Sequence, residues 1–132
     1  MRIAADTNVL LRAAVRDDPQ QAISAANVLR AADLVAVPLA ALCEFAWVMR
    51  SAYKRSTVEV ARSIRSLVTS QNVVTNLSAV EAGLSVLDKG GDFADGVIAY
   101  EGHRLGAEEF VSFDKQAVAL LKAQGKLARL LS

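Results

Sequence analysis

Five acidic residues stand where this chain could do metal chemistry. Asp6 closes a short apolar run at the start of the sequence, and Glu44 is the lone charged residue between Leu39 and Met49. Asp92, Asp95 and Asp114 fall where later elements begin. A Glu is almost never fully buried without a partner, because an ionised carboxylate in an apolar site costs several kcal/mol or takes up a proton. The nearest bases, Arg50, Lys54 and Arg55, come after the apolar stretch, so a metal ion shared with other acids is the expected partner of Glu44. Carboxylates about 5 Å apart repel by about 3 kcal/mol at an effective dielectric of about 20, so gathering four of them requires a cation. Oxygen ligands select a hard ion, Mg²⁺ or Mn²⁺, and one His with one Cys offers no zinc set. Such an ion lowers the pKa of a bound water and stabilises charge on a phosphodiester under attack.

Each Asp also has a purely structural explanation. Asp6, Asp92 and Asp114 suit helix N-caps, and Asp95 suits the dipole of a first helical turn, each for about 1 kcal/mol or less. Capping does not account for Glu44, which is expected in mid-helix.

The elements that must position these acids are short. Ile3 to Ala5 reads as a buried strand ending at Asp6, and Thr7 to Ala14 as a helix. Asp17-Asp18-Pro19 opens a second helix, whose Ala22, Ala25, Ala26 and Leu29 recur at helical spacing up to Ala32. Leu34 to Val37 reads as a strand, and Leu39 to Arg50 as the helix carrying Glu44. Ser56-Thr57 with Glu59 opens a helix with an apolar face of Val60, Ala61, Ile64, Leu67 and Val68. Val73-Val74 is a further strand. Ser78 with Glu81 reads as a capping box for a helix to about Lys89, closed by Gly90-Gly91. Asp92 caps a helix through about Leu105, Glu109 to Phe113 is a strand, Asp114 caps a helix to about Gln124, and Leu127 to Leu131 is a last strand. Short apolar strands separated by helices predict a parallel sheet covered on both faces, a three-layer α/β/α sandwich. Ligands gather at the carboxyl ends of such strands, where Asp6 and Asp114 are expected to share one edge.

With 132 residues the chain fits one domain, residues 1–132, able to remove roughly two thirds of its unfolded surface from water. A net charge of +1 argues against a generic nucleic-acid coat protein but leaves room for a local basic patch. No apolar run approaches the roughly 20 residues of a membrane span, and Asp6 and Arg12 interrupt any signal-like start, so the cytosol is the expected compartment and no membrane partner is expected. Single Cys43 forms no internal disulfide.

Four segments carry a resemblance. Asp6-Thr7-Asn8-Val9-Leu10-Leu11-Arg12, Glu44-Phe45-Ala46-Trp47-Val48, Asp92-Phe93-Ala94-Asp95-Gly96-Val97-Ile98-Ala99 and Ser112-Phe113-Asp114 resemble, in order and spacing, the motifs of PIN-domain ribonucleases, and among these the VapC toxins of bacterial toxin–antitoxin pairs. The resemblance covers essentially the whole chain. It implies that Asp6, Glu44, Asp95 and Asp114 form a catalytic Mg²⁺ pocket, with Thr7, Asn8 and Ser112 as polar support and Asp92 as a fifth ligand or the cap of its helix. It implies an RNA substrate, a VapB-like antitoxin and a homodimer. The family's last motif often has Thr where Ser112 stands, which keeps the hydroxyl.

Arg50, Lys54, Arg55, Arg62 and Arg65 put five bases on one helix-turn-helix with only Glu59 opposing. They form either a solvated face or a surface that grips RNA phosphates, and Arg12 and Lys115 lie next to acidic segments where they could also hold substrate. His103 has no Ser or Cys partner, and Cys43 reads as a small packing residue. The glycines form neither a dinucleotide fingerprint nor a P-loop. Two rival functions remain. An aspartyl phosphotransferase would use Asp6 as nucleophile but wants a second Asp where Asn8 stands; a catalytically silent PIN-like binding module would keep the acids without activity.

Overall fold

A computed structural model describes residues 1–132. The backbone forms two compact units, Met1–Leu77 and Ser78–Ser132. The first contains β1 (Arg2–Ala4), α1 (Thr7–Val15), α2 (Pro19–Ala31), β2 (Leu34–Ala36), α3 (Leu39–Ser51), α4 (Thr57–Val68) and β3 (Val73–Val74). The second contains α5 (Leu77–Leu87) apart from its first residue, then α6 (Phe93–Arg104), β4 (Phe110–Ser112), α7 (Lys115–Ala123) and β5 (Ala128–Leu130). The architecture is mixed α/β with every strand pair parallel.

In the first unit β2 lies between β1 and β3, with Ile3 opposite Val35 and Val35 opposite Val73. A strand of three apolar residues offers no alternation because helices cover both faces of a parallel sheet. Val35 is accordingly fully buried, and Val37, Leu42, Phe45, Val60 and Ile64 build the core around it. The ladder runs one residue past the strand ends, where Ala5 N donates to Ala36 O at 3.0 Å and Val37 N to Val74 O at 2.9 Å. Helix α1 leaves this carboxyl edge after β1, and α3 leaves it after β2. In the second unit β4 and β5 form a separate two-stranded ladder, with Val111 opposite Arg129. The five strands thus run as two ladders, so Asp6 and Asp114 follow strands of different ladders rather than neighbours in one hydrogen-bonded sheet.

The helix starts follow their caps. Asp18 accepts from Gln21 N at 3.1 Å with Pro19 in the first turn, and Ser56 and Glu59 form the reciprocal box that opens α4. Ser78 does not cap α5. The helix begins at Leu77, which leaves Ser78 inside its first turn, and Asn76, itself of a cap-forming type, precedes it. At the other end of α5 Gly90 adopts φ +88°, and the amides of Gly90 and Gly91 close on Leu87 O and Val86 O. No helix is long and apolar enough to cross a membrane.

Candidate active site

The second unit gathers three of the acids. Asp92 is the N-cap of α6, accepting from Ala94 N at 3.2 Å, and Asp95 sits in the first turn that this cap opens. Asp114 caps α7 through the amides of Gln116 at 2.9 Å and Ala117 at 3.1 Å. The Ser112 hydroxyl accepts from Asp114 N at 3.0 Å and so holds the turn into α7. Asp95 is half-buried, and burial first, then the charges of Asp92 and Asp114, push its carboxyl up to about 6. No arginine or lysine offsets them. Capping fixes the backbone at Asp92 and Asp114 while leaving their charge to act on Asp95.

The position of Asp95 is set by a glycine beside it. A Cβ on Gly96 would lie 2.3 Å from Ala82 O and 2.8 Å from Gly83 Cα, and a Cβ on Gly83 would meet the Phe93 ring at 2.6 Å. Helices α5 and α6 therefore touch backbone to backbone at this point, with fully buried Phe93 packed beside the contact. The first turn of α6 has no room to shift.

In the first unit Asp6 caps α1, its carboxylate accepting from Thr7 N at 2.7 Å, and Thr7 is buried. Asn8 is exposed. Glu44 is exposed as well, which corrects the expectation of a carboxylate buried in an apolar helix. The reason is periodicity. Helix α3 buries Ala41, Leu42, Phe45, Ala46 and Met49, and the remaining stripe through Ala40, Glu44, Trp47 and Ser51 faces outward. Burial thus places no demand for a cation on Glu44, and the metal reading rests on Asp95 instead. Trp47, 61% exposed and one turn from Glu44, had been hidden by the same apolar run. Thr75 follows β3 at the carboxyl edge that also holds Asp6, and its buried hydroxyl has no hydrogen-bond partner. No motif flags a Thr in a two-residue strand exit.

The basic residues differ in how they are held. Arg12 donates to Asp17 at 3.0 Å and to the Tyr53 hydroxyl at 3.4 Å, and the bond to Asp17 is the main cause that raises its pKa. Burial pushes the Asp17 carboxyl up, but the Tyr53 hydroxyl, the local amide and Arg12 outweigh it and the net direction is down. Arg50 donates to Arg55 O at 3.2 Å, and Arg55 pairs with Glu59 at 3.5 Å, so part of the expected five-base face is used in closing the α3–α4 link. Lys54 and Lys115 are exposed. His103 is exposed and meets Ala107 O through Nδ1, and Cys43 is a half-buried thiol.

The donor set is oxygen throughout, the ligand type that suits a hard cation. Charge acts over a longer range than coordination: no group of three or more His, Cys, Asp or Glu stands close enough to hold a metal ion. The PIN domain family matches residues 3–122, and the chain belongs to that family. PIN domains are generally nucleases, and typically use divalent metals. The match runs through all four motif segments and across both units. No curated protein matches the chain significantly.

Proposed function

We propose that the chain is an Mg²⁺-dependent endoribonuclease, the toxin of a toxin–antitoxin pair, with Asp6, Glu44, Asp95 and Asp114 as its metal-binding acids. The observation that carries the proposal is the PIN family match over residues 3–122, which runs through all four acidic segments; the Asp95 carboxyl, pushed up to about 6 by burial and then by Asp92 and Asp114, supports it. A site that raises the pKa of an acid without any basic partner loses stability for each ionised form it keeps, and such arrangements cluster at functional positions. Asp95 and Asp114 would hold the ion in the second unit, with Asp6 and Glu44 assigned by their motifs. A bound Mg²⁺ supplies a water of lowered pKa and offsets negative charge on the phosphodiester.

The protein's own part is to hold these carboxylates in place. The Gly83–Gly96 contact fixes the first turn of α6, and the Ser112 hydroxyl holds the entry to α7. Exposed Lys115 and the α3–α4 bases supply positive charge for the RNA backbone. The motif resemblance extends the proposal to a VapB-like antitoxin and a homodimer, and the proposed compartment is the cytoplasm.

Purified protein incubated with a structured RNA in Mg²⁺ should cut it, EDTA should stop the reaction, and Asp6→Asn or Asp95→Asn should abolish it with the fold retained. Full activity in both variants refutes the mechanism; a folded wild-type protein that binds RNA without cutting favours the silent binding module. Sequencing the cut ends identifies the substrate, and solution mass with and without the neighbouring gene's product tests the dimer and the antitoxin.

A further inference from the structure

We propose that Arg12 and Tyr53 form a subsite for a backbone phosphate of the RNA strand, and that Asp17 fills this subsite when no strand is bound. The inference rests on the nuclease reading above and adds a ligand-binding pair outside the acids. Two donors from separate segments of the chain converge on one carboxylate. Arg12 Nη1 lies 3.0 Å from Asp17 Oδ1, the Tyr53 hydroxyl donates to Asp17 Oδ2 at 3.2 Å, and the donors themselves meet at 3.4 Å. Each donor takes a different oxygen, which is how a guanidinium and a hydroxyl would also grip two non-bridging oxygens of a phosphodiester.

Arg12 is built into a helix, whereas Tyr53 and Asp17 sit in the links that follow α3 and α1. Arg12 belongs to the last turn of α1, about 9 Å along the helix axis from Asp6 and thus in reach of the same strand. Tyr53 lies two residues past the end of α3, where its amide closes on Val48 O at 3.2 Å and left-handed Lys54, at φ 56°, turns the chain away. Asp17 lies in the short link between α1 and α2, brought back towards Arg12 by the left-handed C-cap at Arg16, φ 60°. Its neighbour Asp18 does the work of capping α2, so Asp17 has no part in starting that helix. Both partners are partly open to solvent, with 36% of the Arg12 side chain and 44% of the Asp17 side chain accessible. Ion pairs of this exposure contribute little to stability and are readily exchanged.

Anisotropy of a labelled single-stranded oligoribonucleotide, in EDTA to prevent cutting, tests the proposal. Asp17→Asn should tighten binding by about three- to tenfold by removing a competing anion. Arg12→Gln should weaken it and lower the slope of log affinity against log salt by about 0.7, the share of one phosphate on a single strand. Tyr53→Phe should weaken it with Arg12 still charged. Asp33→Asn makes the same change in net charge at a carboxylate paired with the N-terminal ammonium, and should leave affinity unchanged. A purely structural Arg12–Asp17 pair would shift both variants in the same direction, which overturns the proposal. So does an Asp33→Asn gain equal to that of Asp17→Asn, or tighter binding of an oligoglutamate by Asp17→Asn with RNA affinity unmoved. If all variants match the wild type while Mg²⁺-dependent cutting persists, the subsite falls and the nuclease stands. If the wild type neither binds nor cuts RNA, both fall.

Discussion

Replacing Asp95 by Asn should make the metal-free protein more stable, and only above the acidic range. In the fold the Asp95 carboxyl is raised from an ordinary 3.8 to about 6, because burial and then Asp92 and Asp114 disfavour its charge. Between those two pH values the folded chain holds a proton that the unfolded chain has released, so stability falls as pH rises through this window and stays reduced above it. The full gap corresponds to about 3 kcal/mol. Asp95 is only half-buried, and solvent screening reduces the expected gain to about 1 kcal/mol. Asn keeps the shape and drops the charge, so at pH 7.5 in EDTA Asp95→Asn should melt about 4 °C above the wild type, while at pH 4 the two should coincide. Circular dichroism melts at the two pH values give the comparison. An Asp95→Asn that is less stable at pH 7.5, or stabilised equally at pH 4, would show that charge repulsion does not govern this acid.

Mg²⁺ should reverse that order, raising the melting temperature of the wild type at pH 7.5 while leaving Asp95→Asn unmoved, and thermal melts across a metal titration read it directly. Gly96→Ala should destabilise the chain by about 2 kcal/mol or more in urea despite the better helix propensity of Ala, because its Cβ meets Ala82 backbone at 2.3 Å. Ser56→Ala should cost about 1 kcal/mol through loss of the α4 box, whereas Ser78→Ala, inside α5, should stay within about 0.5 kcal/mol; paired urea titrations distinguish them.

Most helix starts were legible because a cap is a local device. Asp18-Pro19, Ser56 with Glu59, Asp92 and Asp114 each announce a helix within four residues, and each does so in the structure. Ser78 and Glu81 carry the same pattern two residues too late, since nothing in a Ser-x-x-Glu spacing says whether the helix has already begun. The strands could be found from apolar runs beside Asp6 and Asp114, but pairing is a long-range property, and five short runs do not reveal that they zip into a ladder of three and a ladder of two. Glu44 illustrates the opposite error. Eleven residues with one charge look buried as a string, yet wound at 3.6 residues per turn they leave a stripe that carries both Glu44 and Trp47 outward. Tyr53 and Thr75 were invisible for a simpler reason: a phenol beside an arginine forty-one positions away, and an unpartnered hydroxyl after a strand, leave no local spacing to read.

The glycine contact between α5 and α6 has a consequence for how this chain can change. Where side chains separate two helices, a substitution on one can be absorbed by a new rotamer on the other, so acids and scaffold drift independently. At Gly83 and Gly96 there is no such cushion: a methyl on Gly83 would meet the buried Phe93 ring at 2.6 Å and one on Gly96 would meet Ala82 O at 2.3 Å, so either must displace the turn that carries Asp95. Two residues without any reactive group should therefore prove as intolerant of replacement as the carboxylate they flank.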